Sequence, residues 1–108
     1  MDGRVVSLKL EGRQVTDSVL DEVLKLPELK TLSLYGSAVT DAGLAKLTVA
    51  TKIESLGLGK TAVTRKGLAH LERLPSLRWL WLTENPQITK ADVVEFKKKA
   101  IPGVTVYQ

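Results

Sequence analysis

Pairs of leucines separated by one residue recur along the chain: Leu8 and Leu10, Leu32 and Leu34, Leu56 and Leu58, Leu80 and Leu82, a period of 24 residues. Three positions ahead of each pair stand Val5, Leu29, Ile53 and Leu77, on the same period. Behind the pairs come Val15-Thr16, Val39-Thr40, Val63-Thr64 and Ile88-Thr89, the last displaced by one residue because Asn85-Pro86-Gln87 lengthens the loop. Leu20, Leu44, Leu68 and Val93 follow, with Val23, Leu47, Leu71 and Phe96 three residues later, and Leu26, Ala50 and Leu74 complete the set. Alternation around the leucine pairs predicts short strands over Val5 to Leu10, Leu29 to Leu34, Ile53 to Leu58 and Leu77 to Leu82, with the leucines pointing into a core.

Each threonine behind a pair is expected to cap a helix, its hydroxyl accepting a free amide proton of the first turn, and the apolar spacing beyond it is helical. Pro27, Pro75 and Pro102 fall just after the helical stretches, where a residue that cannot continue a helix marks the return to the next strand. A unit of strand, turn and helix this short cannot bury its own apolar face. Neighbouring units must therefore stack, with parallel strands and all helices on one side, which predicts an α/β solenoid.

With these residues in place, the stretch Leu29-Lys30-Thr31-Leu32-Ser33-Leu34-Tyr35-Gly36-Ser37-Ala38-Val39-Thr40-Asp41-Ala42-Gly43-Leu44-Ala45-Lys46-Leu47 resembles the bacterial type of leucine-rich repeat. The units of that type read L-x-x-L-x-L-x-x-T-x-V-T-D-x-G-L-x-x-L. The resemblance covers repeats at about 5–28, 29–52, 53–76 and 77–103 with a closing strand at 104–107, all in one domain spanning 1–108. Departures are Val19 for the glycine, Arg65 for the aspartate, Lys90 and Asp92 in the fourth copy, and Ala50-Thr51 in place of the Leu-Pro ending. What the resemblance implies is a concave surface lined by outward strand residues, a surface that leucine-rich repeats mostly use to bind other macromolecules.

Composition narrows the chemistry. There are 108 residues, 44% hydrophobic and 26% charged, enough for one ordinary core and too few for two. The absence of cysteine excludes disulfides, thiolate metal sites and a cysteine nucleophile, and a single histidine excludes a histidine metal cluster. No cofactor is expected. No apolar run approaches a membrane span, and Met1 to Arg4 leads directly into patterned sequence without a secretory leader's apolar region, so a soluble chain of unspecified compartment is expected. Those four residues also offer the first repeat little cover.

Three outward rows remain to be read on the strands: Ser7, Thr31, Ser55 and Trp79; Lys9, Ser33, Gly57 and Trp81; Glu11, Tyr35, Gly59 and Thr83. Trp79 and Trp81 stand two apart and face the same way, where large aromatics next to water are candidate hot spots for a partner. The alternative is local packing, with Trp81 over the gap left by Gly57 and Trp79 shielding the last full strand. Tyr35 beside Gly59 repeats the theme. The partner-binding set is therefore Trp79, Trp81, Tyr35, Ser33, Lys9 and Thr83.

Charge is distributed unevenly: residues 1–30 hold five basic and six acidic groups, 31–59 two and two, and 60–108 nine and four, so the net +4 comes from the second half. Just after the capping threonines stand Asp17, Asp41, Arg65 and Lys90, and a cation at a helix start opposes the helix dipole. Lys60, Arg65, Lys66 and Lys90 are thus expected along one rim, either as an anchor for an anionic or acidic partner or as a solvated surface. The Lys97-Lys98-Lys99 run suits the end of the last helix. Asn85 stands where many leucine-rich repeats hold an Asn that bonds loop backbone, so the resemblance implies a structural role for it, and His70 lies out of step with the apolar stripe with no nucleophile to serve. Two functions follow: a non-catalytic module recognising a protein on its concave strand face, or a structural module that stacks end to end through its outer strands and its acidic-to-basic gradient. Nucleic acid would require cations interleaved with the aromatics, and the tryptophan face carries few, so nucleic acid is not expected; no catalytic constellation is present.

Overall fold

The computed structural model describes residues 5–108. Each leucine pair straddles the end of a three-residue strand: β1 Ser7–Lys9, β2 Thr31–Ser33, β3 Ser55–Gly57 and β4 Trp79–Trp81, with β5 Thr105–Tyr107 closing the series. All five pair in parallel and in chain order. The strands are shorter than the alternation predicts because only the first leucine of each pair lies within one. The second still extends the ladder, its amide donating to the next strand: Leu10 to Ser33 O at 2.8 Å, Leu34 to Gly57 O at 2.8 Å, Leu58 to Trp81 O at 2.8 Å and Leu82 to Tyr107 O at 2.6 Å.

Four helices return the chain between strands: α1 Leu20–Val23, α2 Asp41–Lys46, α3 Arg65–Leu71 and α4 Lys90–Lys99. A 3-10 turn at Asp17–Val19 leads into α1 and another at Leu47–Val49 continues α2. Their apolar residues join the strand leucines in a single core, in which Leu20, Leu34, Leu44, Leu47, Ile53, Leu56, Leu58 and Leu80 are wholly buried. Burying each such side chain stabilises the fold by about 1.5–3 kcal/mol relative to leaving it in water. Among the described residues no helix covers the opposite face of the sheet, and Ser7, Lys9, Thr31, Trp79 and Trp81 are exposed on it. The extents of 43 × 31 × 19 Å suit one sheet covered by one layer of helices. Among the described residues no helix is long and apolar enough to cross a membrane.

The ends are less well covered. Val5, expected in the core with Leu29, Ile53 and Leu77, is 37% exposed, whereas those three are buried. It precedes β1, the outermost strand, which pairs on one side only among the described residues. Leu8 and Leu10 are likewise only partly buried. Met1 to Arg4, expected to give the first repeat little cover, lie outside the described residues.

What aligns one unit on the next is a carboxylate. Asp17 accepts from the Thr40 amide at 2.8 Å and from the Thr40 hydroxyl at 2.6 Å. One period later Asp41 accepts from the Thr64 amide at 2.7 Å and the Thr64 hydroxyl at 2.6 Å. Thr16, Thr40, Thr64 and Thr89 all occupy the extended position that precedes a helical segment, as expected. The expected hydroxyl cap forms only at Thr64 and Thr89; the Thr64 hydroxyl both donates to Asp41 and accepts from the Lys66 amide, whereas the Thr40 hydroxyl donates to Asp17 without capping. The aspartates thus do more than complement a helix dipole.

The departures from the repeat pattern now pair up. A β-carbon on Gly43 would overlap Asp17 Oδ1, and one on Gly67 would overlap Asp41 Oδ1 and lie 2.8 Å from Leu44 Cδ1, so the clamp requires glycine at that place. Where no described unit precedes, the same place holds Val19. Where Arg65 cannot accept, it holds Asp92, which caps its own helix: the Thr89 amide donates to Asp92 at 2.9 Å and the Asp92 amide to the Thr89 hydroxyl at 3.1 Å. The inserted loop is held in the same manner. Asn85, buried, accepts from the Thr61 amide and donates to Leu58 O, both at 2.8 Å, and Gln87 donates to Val63 O at 2.8 Å.

Asp41→Ala should lower stability by about 2 kcal/mol in urea unfolding, the loss of two charge-assisted hydrogen bonds. Gly67→Ala should cost about 1–3 kcal/mol by overpacking. Because both act on one small volume, the double variant should cost less than the sum by about 1 kcal/mol, and strict additivity would contradict the clamp.

Candidate functional site

The helix-free face of the sheet is read across its register. Ser7, Thr31, Ser55, Trp79 and Thr105 form one row, and Lys9, Ser33, Gly57, Trp81 and Tyr107 the next. Beyond the strands Glu11, Tyr35, Gly59 and Thr83 follow. A depression of about 380 Å³ lies over Gly57 and Gly59, lined by Lys9, Glu11, Ser33, Tyr35, Trp81 and Thr83 among others. Five of the six residues expected to bind a partner converge there: Lys9, Ser33, Tyr35, Trp81 and Thr83. Trp79, 39% exposed, faces the same side but does not line it.

The two glycines do different things. A β-carbon on Gly59 would lie 2.7 Å from Tyr35 Cδ2 and 2.7 Å from Thr83 Oγ1, so the Tyr35 ring rests against the Gly59 backbone. From there its hydroxyl bonds to Glu84, in the loop beyond β4. A β-carbon on Gly57 would have as its three nearest atoms ones of Ser33, the closest being Oγ at 3.3 Å. Trp81 instead stacks on Tyr107 of β5, with ring centroids 4.9 Å apart and planes 15° from parallel. Trp81 thus has local packing on Tyr107, while 37% of it remains exposed to solvent.

One carboxylate, Glu11, lies in the lining, and a second, Glu84, is bonded to the lining Tyr35. Ser33 Oγ donates to Glu11 Oε2 at 2.7 Å, and Tyr35 donates to Glu84 Oε2. The Tyr35 phenol is held above its ordinary range, first by the hydrogen bond to Glu84, then by desolvation and by the negative charges of Glu84 and Glu11. Each of these opposes formation of a phenolate.

The cationic rim is also visible. Lys60, Arg65, Lys66 and Lys90 are all exposed on the third and fourth units, and none has an ion pair among the described residues. Arg65 and Lys66 open onto a groove between α3 and α4 with Lys99, but Glu72, Asp92 and Glu95 line the same groove and balance the charge. Lys60 has a backbone role. Gly12, Gly36, Lys60 and Glu84 occupy equivalent places one period apart, with φ of 105°, 71°, 51° and 59°. A left-handed turn is thus built into every unit, by glycine in the first two and by Lys60 and Glu84 in the others. His70 lies on α3, on the helical side of the molecule. Among the described residues no group of three or more His, Cys, Asp or Glu is placed to hold a metal ion.

Glu84, Glu11 and Tyr107 complete the site without having been nominated. Tyr107 follows Trp81 by 26 residues, off the regular period, so alignment by leucine pairs does not bring it beside Trp81. Glu84 was legible only as the fourth member of the left-handed row.

In a spectroscopic pH titration Tyr35 should ionise above the usual tyrosine range, and Glu84→Gln should move it back down; an unchanged titration would contradict the bond. Lys60→Gly should leave stability unchanged or raise it by up to about 1 kcal/mol, since relief of the left-handed strain offsets the entropy of glycine. A thermal melt measures this, and a marked loss would mean that the Lys60 side chain matters to the fold. In comparison with known proteins, no family model matches the chain and no curated protein matches it, so its assignment rests on its own residues.

Proposed function

We propose that this chain is a leucine-rich-repeat solenoid of about four and a half units whose concave strand face is a non-catalytic recognition surface for a protein. The fold part of this reading is supported by the 24-residue recurrence of leucine pairs together with one parallel strand per recurrence. The functional part is carried by a single observation: the depression over Gly57 and Gly59, walled by a tryptophan that is fixed by stacking yet exposed. An aromatic held in place before binding loses little entropy on contact, which is the property of a hot spot. The surrounding polar groups, Ser33, Lys9, Glu11 and Thr83, supply direction.

The second reading, end-to-end stacking of copies, draws on the basic end and the partly covered first strand. It is the weaker because a copy stacked in the register of the internal units would set Lys90 where an aspartate clamps the following threonine, and Val19 where that clamp requires glycine. Sedimentation at low and high salt separates the two, since association driven by opposite charges weakens with salt.

Peptides selected from a displayed random library against the whole chain should lose at least about 30-fold in affinity on Trp81→Ala, the mark of a hot spot near 2 kcal/mol. Thermal stability should fall by only about 1 kcal/mol, the worth of the lost aromatic stack. Selected peptides indifferent to Trp81→Ala and Trp79→Ala, but sensitive to changes on the helical side, would overturn the proposal.

A further inference from the structure

The lining of the depression holds one carboxylate, Glu11, and one ammonium, Lys9, so it selects an ion of neither sign. Either ion would meet a like charge beside its opposite. What the lining offers instead is hydroxyl groups. Those of Thr31, Ser55 and Thr83 form no hydrogen bond among the described residues. Lys9 likewise has no partner there, and Glu11, which accepts from Ser33 through Oε2, keeps Oε1 unspent. Donors and acceptors are thus mixed at short range: Thr31 stands in register with Ser55 on the adjacent strand, about 4.8 Å away.

These groups also decide against an apolar occupant. A leucine or a phenyl ring seated here would take them out of water and pair none of them. The occupant has to be neutral and carry several groups that each donate and accept. It also has to present an apolar face, because Trp81 lines the same depression, held by its stack on Tyr107 and 37% exposed. A sugar ring combines these properties: hydroxyls around its edge and a patch of C–H groups on its face that packs against an indole. The volume of about 380 Å³ is at the small end of ligand sites and suits a single ring. Trp79 supplies a second platform. It stands two residues before Trp81 on β4, roughly 6.7 Å along the strand on the same face, 39% exposed, with Ser55 and Thr105 in register on either side. Two exposed indoles in succession, each beside hydroxyls, suit two successive rings of a glycan.

We propose that the depression over Gly57 and Gly59 receives a neutral sugar ring, its C–H face against Trp81 and its hydroxyls on the unspent groups of Ser55, Thr83 and Glu11, and that Trp79 contacts the next ring of the same glycan. This rests on the recognition face proposed above and names what that face receives. The partner is accordingly a protein that carries a neutral glycan.

Nuclear magnetic resonance of the isotopically labelled chain tests this with cellobiose, maltose, lactose and mannobiose as probes. At least one should give saturable shifts at the Trp81 indole and the Gly57 amide, with the same affinity at low and high salt because no ion pair forms. Trp81→Ala should weaken that binding at least about fivefold and Glu11→Gln about threefold. Trp79→Ala should retain the parent melting temperature and reduce the disaccharide to the affinity of its monosaccharide. Glucosamine and glucuronate, which add a positive and a negative charge to the glucose ring, should bind no more tightly than glucose. A glycoprotein bearing the best-bound sugar should shift Trp81 before, and not after, enzymatic removal of its glycan; shifts from the free sugar alone would overturn the placing of the ring on a protein. No saturable shift from any of the four disaccharides would overturn the sugar assignment while leaving the recognition face standing. So would tighter binding of either charged sugar, or N-acetyl-leucine amide binding as tightly as the best disaccharide. Failure of the recognition face itself would look different: library-selected peptides would shift resonances of α2 to α4 and leave Trp81 and Gly57 unmoved.

Discussion

A carboxylate that reaches the amide and hydroxyl of a threonine 23 residues further on fixes how each early unit of this chain sits on the next. Leucines at equal spacing fill the core, yet hydrophobic contact is non-directional and tolerates small slides and rotations of one unit on another. Two charge-assisted bonds to a fixed backbone amide do not. They also fix residue choice at a distance. Glycine is required at positions 43 and 67 because Asp17 and Asp41 approach there, and where the aspartate is lost at Arg65 the glycine is lost too, at Asp92. What looks like scatter in the copies is one interaction and its replacement by a helix that caps itself.

Because the clamp and the core lie on the helical side, the other face of the sheet is free to vary without cost to the stacking. Side chains there range from none at Gly57 to an indole at Trp81, in neighbouring strands and the same register. The contrast creates the depression. Tyr35 crosses Gly59 to bond Glu84, and Trp81 stacks on Tyr107 of the next strand, so both aromatics lean toward the later units. Each is held by a neighbour before any partner arrives, and that preorganisation is what the proposed recognition role depends on.

Charge divides by level. On the helical side Lys46 with Asp21 and Lys52 with Glu28 link successive units at 3.1 and 2.8 Å, exposed pairs that contribute little to stability. The basic residues of the third and fourth units give the chain its net charge, yet in the α3–α4 groove they are matched by acidic neighbours. On the open face Glu11 and Lys9 both line the depression. Glu11 and Glu84 are tied to Ser33 and Tyr35, and a tied carboxylate keeps a direction that a solvated one lacks.

The recurrence of apolar positions was sufficient to determine the elements, their order, the inward leucines and the outward rows, because period and side-chain direction follow from strand and helix geometry alone. It also brought Lys9, Ser33, Tyr35, Trp81 and Thr83 together, since equal spacing implies equal register. It was not sufficient for Trp79, which shares their face but not their depression, nor for Val5, which loses its cover at the outermost strand. The aspartate clamp, the stack of Trp81 on Tyr107 and the bond from Tyr35 to Glu84 were decided by the tertiary structure. Each joins residues of different units across 23, 26 and 49 positions. Which way a side chain turns between two neighbours depends on the space those neighbours leave, and that space exists only once the units have stacked.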